Sequence, residues 1–348
     1  MDIIFNALYK IDVAAKATQK LPHTEEQKEL ESYVRELLDL IVDEKSSRGY
    51  EFTSEHTEVR SLISEIIGTQ YTDLSTQEGF AESIAKRLLA KEIDAEENNN
   101  LNIKLVKGIA VITLIQLSNG ERRFVISKAD YNEYLDAESY KRRNGFPLKK
   151  KIYKAFSAAL DEENNISKIL VYDTNSTFSV YWWREFLELS EIYTDDYNTE
   201  KVFAAIEGNV LNPIKQKHKA DFISLWNAAV HYFRVKPEFT VEGFLDDIIN
   251  TYEPFDSSLD VGSLAKKVEK QFENGKFDKH FKIVPKVITK KFKRTIQLTS
   301  QIDLNLKDGI QNIEQVIKRF QDKDGSKWVM VRSAEGYEYF KDQTELLS

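Results

Sequence analysis

The chain has 348 residues, 41% of them apolar, a net charge of −8 and no cysteine. That length exceeds the usual single core and points to two domains. The absence of cysteine excludes disulfides, thiolate metal sites and cysteine nucleophiles, and the negative balance argues against a protein that coats polyanions with its whole surface. Residues 1–100 hold 21 acidic and 11 basic residues, a net of −10, which leaves +2 for 101–348. No apolar run approaches the roughly 18 residues that span a bilayer. The opening MDIIFNALYKID lacks a basic leader with a cleavage site. The expectation is a cytoplasmic chain with no membrane partner.

In chain order, Thr24 with Gln27 fits a capping box ahead of Leu30, Tyr33, Val34, Leu37, Leu38 and Ile41 at helical spacing. Ser54 precedes a second helical run, Val59, Leu62, Ile63, Ile66 and Ile67. Ser75 with Glu78 opens a third, carrying Phe80, Ile84, Leu88 and Leu89 and fading into EENNN at 96–100, a polar linker. The front hundred residues therefore read as an acidic helical layer. Beyond them the period changes. Ile109–Leu117 and Arg122–Ser127 read as strands joined at Asn119-Gly120, a turn that asks for positive φ at both residues. A polar, tyrosine-rich loop fills 130–147. Lys151–Leu160 is ambiguous between helix and strand and is taken as a strand beside Lys168–Asp173 and Phe178–Trp183. The result is an antiparallel meander covered on one face by the front helices.

Trp182–Trp183 lead into an amphipathic run, Phe186, Leu187, Leu189 and Ile192, and after Asp195–Asp196 the Tyr197-Asn198-Thr199 triplet starts a helix with Val202, Phe203 and Ile206 on one face. Phe222, Leu225, Trp226, Ala229 and Phe233 form a further stripe. Val241, Phe244, Leu245, Ile248, Ile249 and Tyr252 form another, with Thr240 as N-cap. The end reverts to strands: Ile296, Leu298, Ile302, Leu304 and Leu306 alternate with polar residues, and Trp328–Arg332 is their partner, reached through Asp324-Gly325. The expected fold is α+β in two domains. Residues 1–189 are the acidic helical layer plus antiparallel β-meander, and 190–348 are a helical segment closed by a short antiparallel sheet.

Catalytic signals are absent. The five histidines, at 23, 56, 218, 231 and 280, never take metal-ligand spacing. No phosphate-cradling glycine loop and no G-x-S-x-G elbow occurs. Glu162–Glu163 and Asp246–Asp247 are sequence neighbours that point apart. The expectation is no enzyme, no metal and no cofactor; a two-metal nuclease assembled from distant carboxylates stays open as an alternative. Two basic clusters stand out. Residues 141–154 carry seven Lys or Arg and no acid, and residues 276–294 carry eight against one Asp. Such runs concentrate positive potential where phosphates could sit. The candidate contact residues are Arg142, Arg143, Lys149, Lys150, Lys151, Lys290, Lys291, Lys293 and Arg294. With no helix-turn-helix, zinc finger or RNA-binding strand motif beside them, the expected contact is with backbone and not with bases.

The segments VYDTNSTFSVYWWREFL, DDYNTEKVF, DFISLWNAAVHYF, RTIQLTSQIDLNL and DGSKWVMVRSAEGYEYF follow one another through 171–340. Their order of strand, YW-x-x-FL, NT helix, aromatic helix pair and closing hairpin resembles the bacterial nucleoid-associated protein family, the YejK or NdpA type. The resemblance implies a non-enzymatic DNA-binding protein of the bacterial cytoplasm and nucleoid. A protein-interaction or sensor component of a phage-defence or mobile-element system is the alternative it leaves open. The partners it implies are DNA and, under the alternative, a protein partner; a homo-oligomer of cyclic symmetry is a general expectation for such a chain.

Overall fold

The chain opens with a strand, β1 (Asp2–Asp12), and not with a helix. The computed structural model describes residues 1–22, 28–43, 47–68, 73–98, 107–135, 137–146, 153–174 and 178–340. The mixed α+β class holds, with one large antiparallel sheet and several small ones. Two compact units divide the chain: Met1–Thr194 with Phe277–Phe281, and Asp195–Lys276 with Lys282–Ser348. The first boundary falls after 189 because residues just past it still belong to the large sheet.

In the first unit β2 (Ala17–Leu21) turns back on β1, and α1 (Lys28–Val42) buries the predicted stripe Tyr33, Val34, Leu37, Leu38 and Ile41. The capping box at Thr24 and Gln27 lies outside the described residues. β3 (Arg48–Phe52), α2 (Glu58–Gly68) and α3 (Leu74–Asn98) follow. The front hundred residues thus supply three strands as well as three helices, a correction to the purely helical layer. The helix α3 also runs three residues into the expected linker, through Asn98.

β4 (Gly108–Gln116) and β5 (Arg122–Asp130) are the predicted hairpin. Only Gly120 takes positive φ, 87°. The Gly120 N–H bonds to the Leu117 carbonyl and the Leu117 N–H to the Glu121 carbonyl. That is a three-residue loop closed by a left-handed glycine, and not the two-residue turn that Asn-Gly suggests. The connection to β8 (Tyr153–Leu160) carries a small ribbon, β6 (Asn132–Leu135) with β7 (Arg142–Gly145). β9 (Ile166–Asp173) and β10 (Leu189–Glu191) complete an eight-stranded antiparallel sheet of order β10-β3-β9-β8-β5-β4-β1-β2.

Helices cover both faces of this sheet, a second correction to the sequence reading. Ala110, Ile112 and Leu114 of β4 face a core with α2 and α3, while Ile109, Val111 and Ile115 face α1. Eight of the nine β4 residues are therefore buried, which is why the run reads as continuous β-branched sequence and not as an alternation. Gly108 is required by close approach, because a Cβ there would overlap the Ala129 carbonyl oxygen of β5.

The expected strand Phe178–Trp183 is a π-helical turn over Tyr181–Phe186, closed by the Leu187 N–H on the Trp182 carbonyl at 3.1 Å. Aromatic β-propensity loses to packing here. Trp182 and Phe186, four residues apart, enter the core together with ring centroids 5.1 Å apart. The amphipathic run expected through Leu189 and Ile192 passes into the edge strand β10, which pairs with β3.

In the second unit α4 (Asp195–Ala205) buries Val202 and Phe203 as predicted, and α5 (Lys219–Val235) buries Phe222, Leu225, Trp226, Ala229 and Phe233. Thr240 caps α6 (Val241–Phe244) by accepting the Gly243 N–H, and Asp260 caps α7 (Val261–Gln271) through Ser263. Phe233, Phe239, Phe244 and Phe272 form a chain of ring contacts at its centre. The alternating run 296–306 is not one strand but a hairpin, β11 (Arg294–Gln297) with β12 (Asp303–Leu306). It turns where Thr299 Oγ accepts the Gln301 N–H. After α8 (Ile313–Val316) comes a second hairpin, β13 (Ile317–Gln321) with β14 (Lys327–Val331), so Trp328 pairs with Phe320 and not with the 296–306 segment.

Burial holds the phenols of Tyr9, Tyr33, Tyr153 and Tyr232 at about 12, with Glu82 and Glu78 adding to the effect at Tyr9. A raised folded pKa means the folded chain keeps protons that the unfolded chain loses. This stability is complete below pH 10 and drains as pH climbs from 10 toward 12. Urea midpoints are expected to stay level from pH 8 to about 9.5 and to fall steeply above pH 10; a level midpoint at pH 11.5 would contradict this.

Candidate nucleic-acid interface

The candidate residues of the first basic cluster belong to the first unit and those of the second, Lys290 to Arg294, to the second unit. In the first, the β6–β7 ribbon places Arg142 opposite Leu135 and Arg143 opposite Tyr134. The ribbon is exposed, as are Tyr134 and Tyr140. Gly145 lets the Tyr134 ring lie on the backbone, where a Cβ would come to 2.9 Å of the ring. Arg142 reaches Glu133 at 3.8 Å, a solvent-exposed pair that contributes at most about 1 kcal/mol. Lys149, Lys150 and Lys151 lie outside the described residues.

The second cluster has a firmer scaffold. Residues 279–301 contain no Asp or Glu, and a 3₁₀ helix spans Pro285–Phe292 within them. Proline fixes its first turn, while Ile288 and Phe292, four residues apart, are buried. Phe292 meets Phe203 of α4 edge-on at 5.9 Å. Two side chains of the Asp-Asp-Tyr-Asn-Thr run hold its approach: Asp195 accepts the Lys282 N–H at 3.2 Å, and Thr199 accepts the Val284 N–H at 3.0 Å. With its apolar side turned in, the helix leaves Lys286 and Lys290 exposed and Lys291 half-buried, and Lys293 beyond it is exposed. Among the described residues none of these four lysines has an ion-pair partner.

Arg294 departs from its neighbours. Its guanidinium lies 4.4 Å from the Phe222 ring and 4.8 Å from the Trp226 ring, and it pairs with Glu207 at 3.5 Å. Glu207 also accepts the Trp226 indole N–H. Arg294 is thus tied into α5 and is removed from the contact surface proposed by sequence.

Sequence reading also passed over a buried ionic cluster in the first unit. Lys128 of β5 opposes Lys154 of β8, which in turn opposes Asp173 of β9, so the three share one face of the sheet. The Lys128 side chain is 2% exposed and reaches Glu92 of α3 at 2.8 Å and Asp130 at 3.1 Å. The Tyr181 hydroxyl donates to the same Glu92 oxygen at 3.2 Å, and Asp173 accepts from the Ser179 N–H and hydroxyl. Burial would pull the Lys128 ammonium down; Glu92 and Asp130 together outweigh it and hold the ammonium above its usual range. Burial, then Glu92, pushes the Tyr181 phenol well up. Among the described residues no group of three or more His, Asp or Glu is placed to hold a metal ion. A signal for this cluster was present: Lys128 is in phase with Phe124 and Ile126, and a lysine on the core side of a strand must bring its partners inside.

Lys128→Met removes the cation and strands two carboxylates. It is expected to lower unfolding free energy by about 3–5 kcal/mol. Adding Glu92→Gln should recover part of that. A loss below about 1 kcal/mol in chemical denaturation would show that the cluster is solvated in solution.

Comparison of the chain with protein-family models, with curated proteins and with solved structures gave no match in any of the three.

Proposed function

We propose that the chain is a non-enzymatic, nucleoid-associated protein that binds the phosphate backbone of duplex DNA in the bacterial cytoplasm. The observation that carries this reading is the acid-free segment 279–301 in a chain of net −8. Within it the apolar residues of a short helix are buried and the lysines face out without ion-pair partners among the described residues. Lysines held this way offer positive charge at no loss of a folded-state contact, which is what counterion release from phosphates requires. The exposed Arg142 and Arg143 of the β6–β7 ribbon, Arg142 beside Glu133, add a second set of cations in the first unit. The sequence carries no helix-turn-helix, zinc-finger or RNA-binding strand motif, so sequence preference is expected to be weak.

The test is salt-dependent binding of a labelled duplex by fluorescence anisotropy. Lys290→Glu, Lys291→Glu and Lys293→Glu together are expected to flatten the log affinity against log salt slope by roughly three units, at about 0.9 per phosphate. Arg294→Ala is the control: it should leave that slope unchanged while lowering stability by about 1–2 kcal/mol through the lost ring contacts. Equal binding and equal slope in the triple reversal would reduce the cluster to a solvated face. No binding by the wild type at low salt, with loss of a protein partner in the same reversal, would favour the interaction reading.

A further inference from the structure

We infer that this protein self-associates through β14, whose free edge pairs antiparallel with the same strand of a second copy. The β13–β14 hairpin is a two-stranded sheet on its own, and an isolated pair of strands is marginal in water without further cover. Asn227 of α5 ties the hairpin's approach by bonding the Ile310 carbonyl and N–H at 2.5 and 2.8 Å. One side of the hairpin, through Ile317 and Val329, lines an apolar groove of about 500 Å³. The other side carries Phe320, Trp328 and Met330, each 40–50% exposed. Trp328, Val329, Met330 and Val331 form four consecutive apolar residues, all about half exposed.

The hydrogen-bond phase identifies the free edge. The Arg332 N–H bonds to the Val316 carbonyl and the Asp322 N–H to the Ser326 carbonyl. In an antiparallel ladder the bonded pairs recur every second residue, so Phe320–Trp328 and Lys318–Met330 are also bonded pairs. The N–H and C=O groups of Lys327, Val329 and Val331 therefore point away from β13. Among the described residues no backbone hydrogen bond reaches Val329 or Val331. β13 guards its own edge with Lys318 and Arg319; β14 has no charge between Lys327 and Arg332.

A second copy fits this edge by symmetry. An antiparallel register centred on Val329 pairs all five residues of β14 with all five of its mate, and every outward amide finds a partner. Lys327 then lies opposite Val331 of the mate, and Arg332 points to the opposite face, so like charges do not meet. Trp328 comes opposite Met330 of the mate in a close, non-bonded pair, a sulfur–aromatic contact. Registers shifted by two residues leave strand ends unpaired, and parallel pairing stacks Lys327 on Lys327.

The test is light scattering on the full chain across a concentration series, with three variants. Wild type is expected to move from monomer to dimer. Val329→Pro removes only an outward N–H, leaves the hairpin ladder intact, and should raise the dimer dissociation constant at least about 100-fold. The chain has no cysteine, so Val329→Cys is a single probe. Its mate should sit about 5.5 Å away between Cα atoms, and the variant should form a disulfide dimer under mild oxidation. Lys327→Cys places its mate about 14 Å away and should stay reduced. A wild type that stays monomeric at every concentration, even if it captures a different protein, would overturn the proposal. So would a Val329→Pro dimer of unchanged affinity, or equal cross-linking by the two cysteine variants.

Discussion

Lys128 sits in the middle of a strand covered on both sides, so its ammonium must find its counter-charges inside the protein. Those partners come from three directions. Asp130 is two residues along the same strand, Glu92 descends from α3, and Tyr181 of the π-helical turn donates to the same Glu92 oxygen. The cluster therefore fixes α3 and the π turn against one face of the sheet at a defined point along β5. Apolar packing alone would allow a helix to slide along such a face; an ion pair with one good geometry does not. The π turn follows the same logic. It carries Trp182 and Phe186 into the core while keeping Tyr181 aimed at Glu92, and an ordinary strand there would send alternate rings to opposite faces.

How far the fold was legible depended on whether an element had one wet face. α1 and α2 each bury one stripe, and their buried residues are those the helical period picks out, whereas α5 buries Asn227, Val230 and Tyr232 as well as its predicted stripe. β1 escaped notice for the opposite reason. It lies between β4 and β2, its middle is buried on both sides from Ala7 to Tyr9, and its pairing with β4 slips between Ile3 and Phe5. No clean period survives that combination. The 296–306 run misled in a different way: its alternation is real in each half, but a polar turn at 299–301 folds it back on itself, which a period-2 pattern does not reveal.

The candidate contact surface was legible as composition and less so as geometry. Lys290, Lys291, Lys293 and Arg294 look alike in a string of basic residues. Arg294 differs only because the rings of Phe222 and Trp226 and the carboxylate of Glu207 stand beside it, and each of these is distant in sequence. Planar, weakly hydrated guanidinium suits that setting, and an ammonium does not. Lys128 and Lys154 make the converse case. Lys128 fell just beyond the expected strand Arg122–Ser127 and Lys154 was counted with the first basic cluster, although their phase with core neighbours marked both as buried.

This contrast separates two uses of lysine in one chain. Inside the first unit a cation is inseparable from the fold, because removing it leaves carboxylates that water does not reach. In the basic segment of the second unit, backbone and charge are independent. Asp195 and Thr199 hold main-chain N–H groups, Ile288 and Phe292 fill the core, and the lysine heads take no part in either. A binding surface built this way can change its charge without changing its shape. The geometry of the segment is carried by α4 and by apolar burial, and the affinity for a polyanion rests with side chains whose only folded-state role is to stand in solvent.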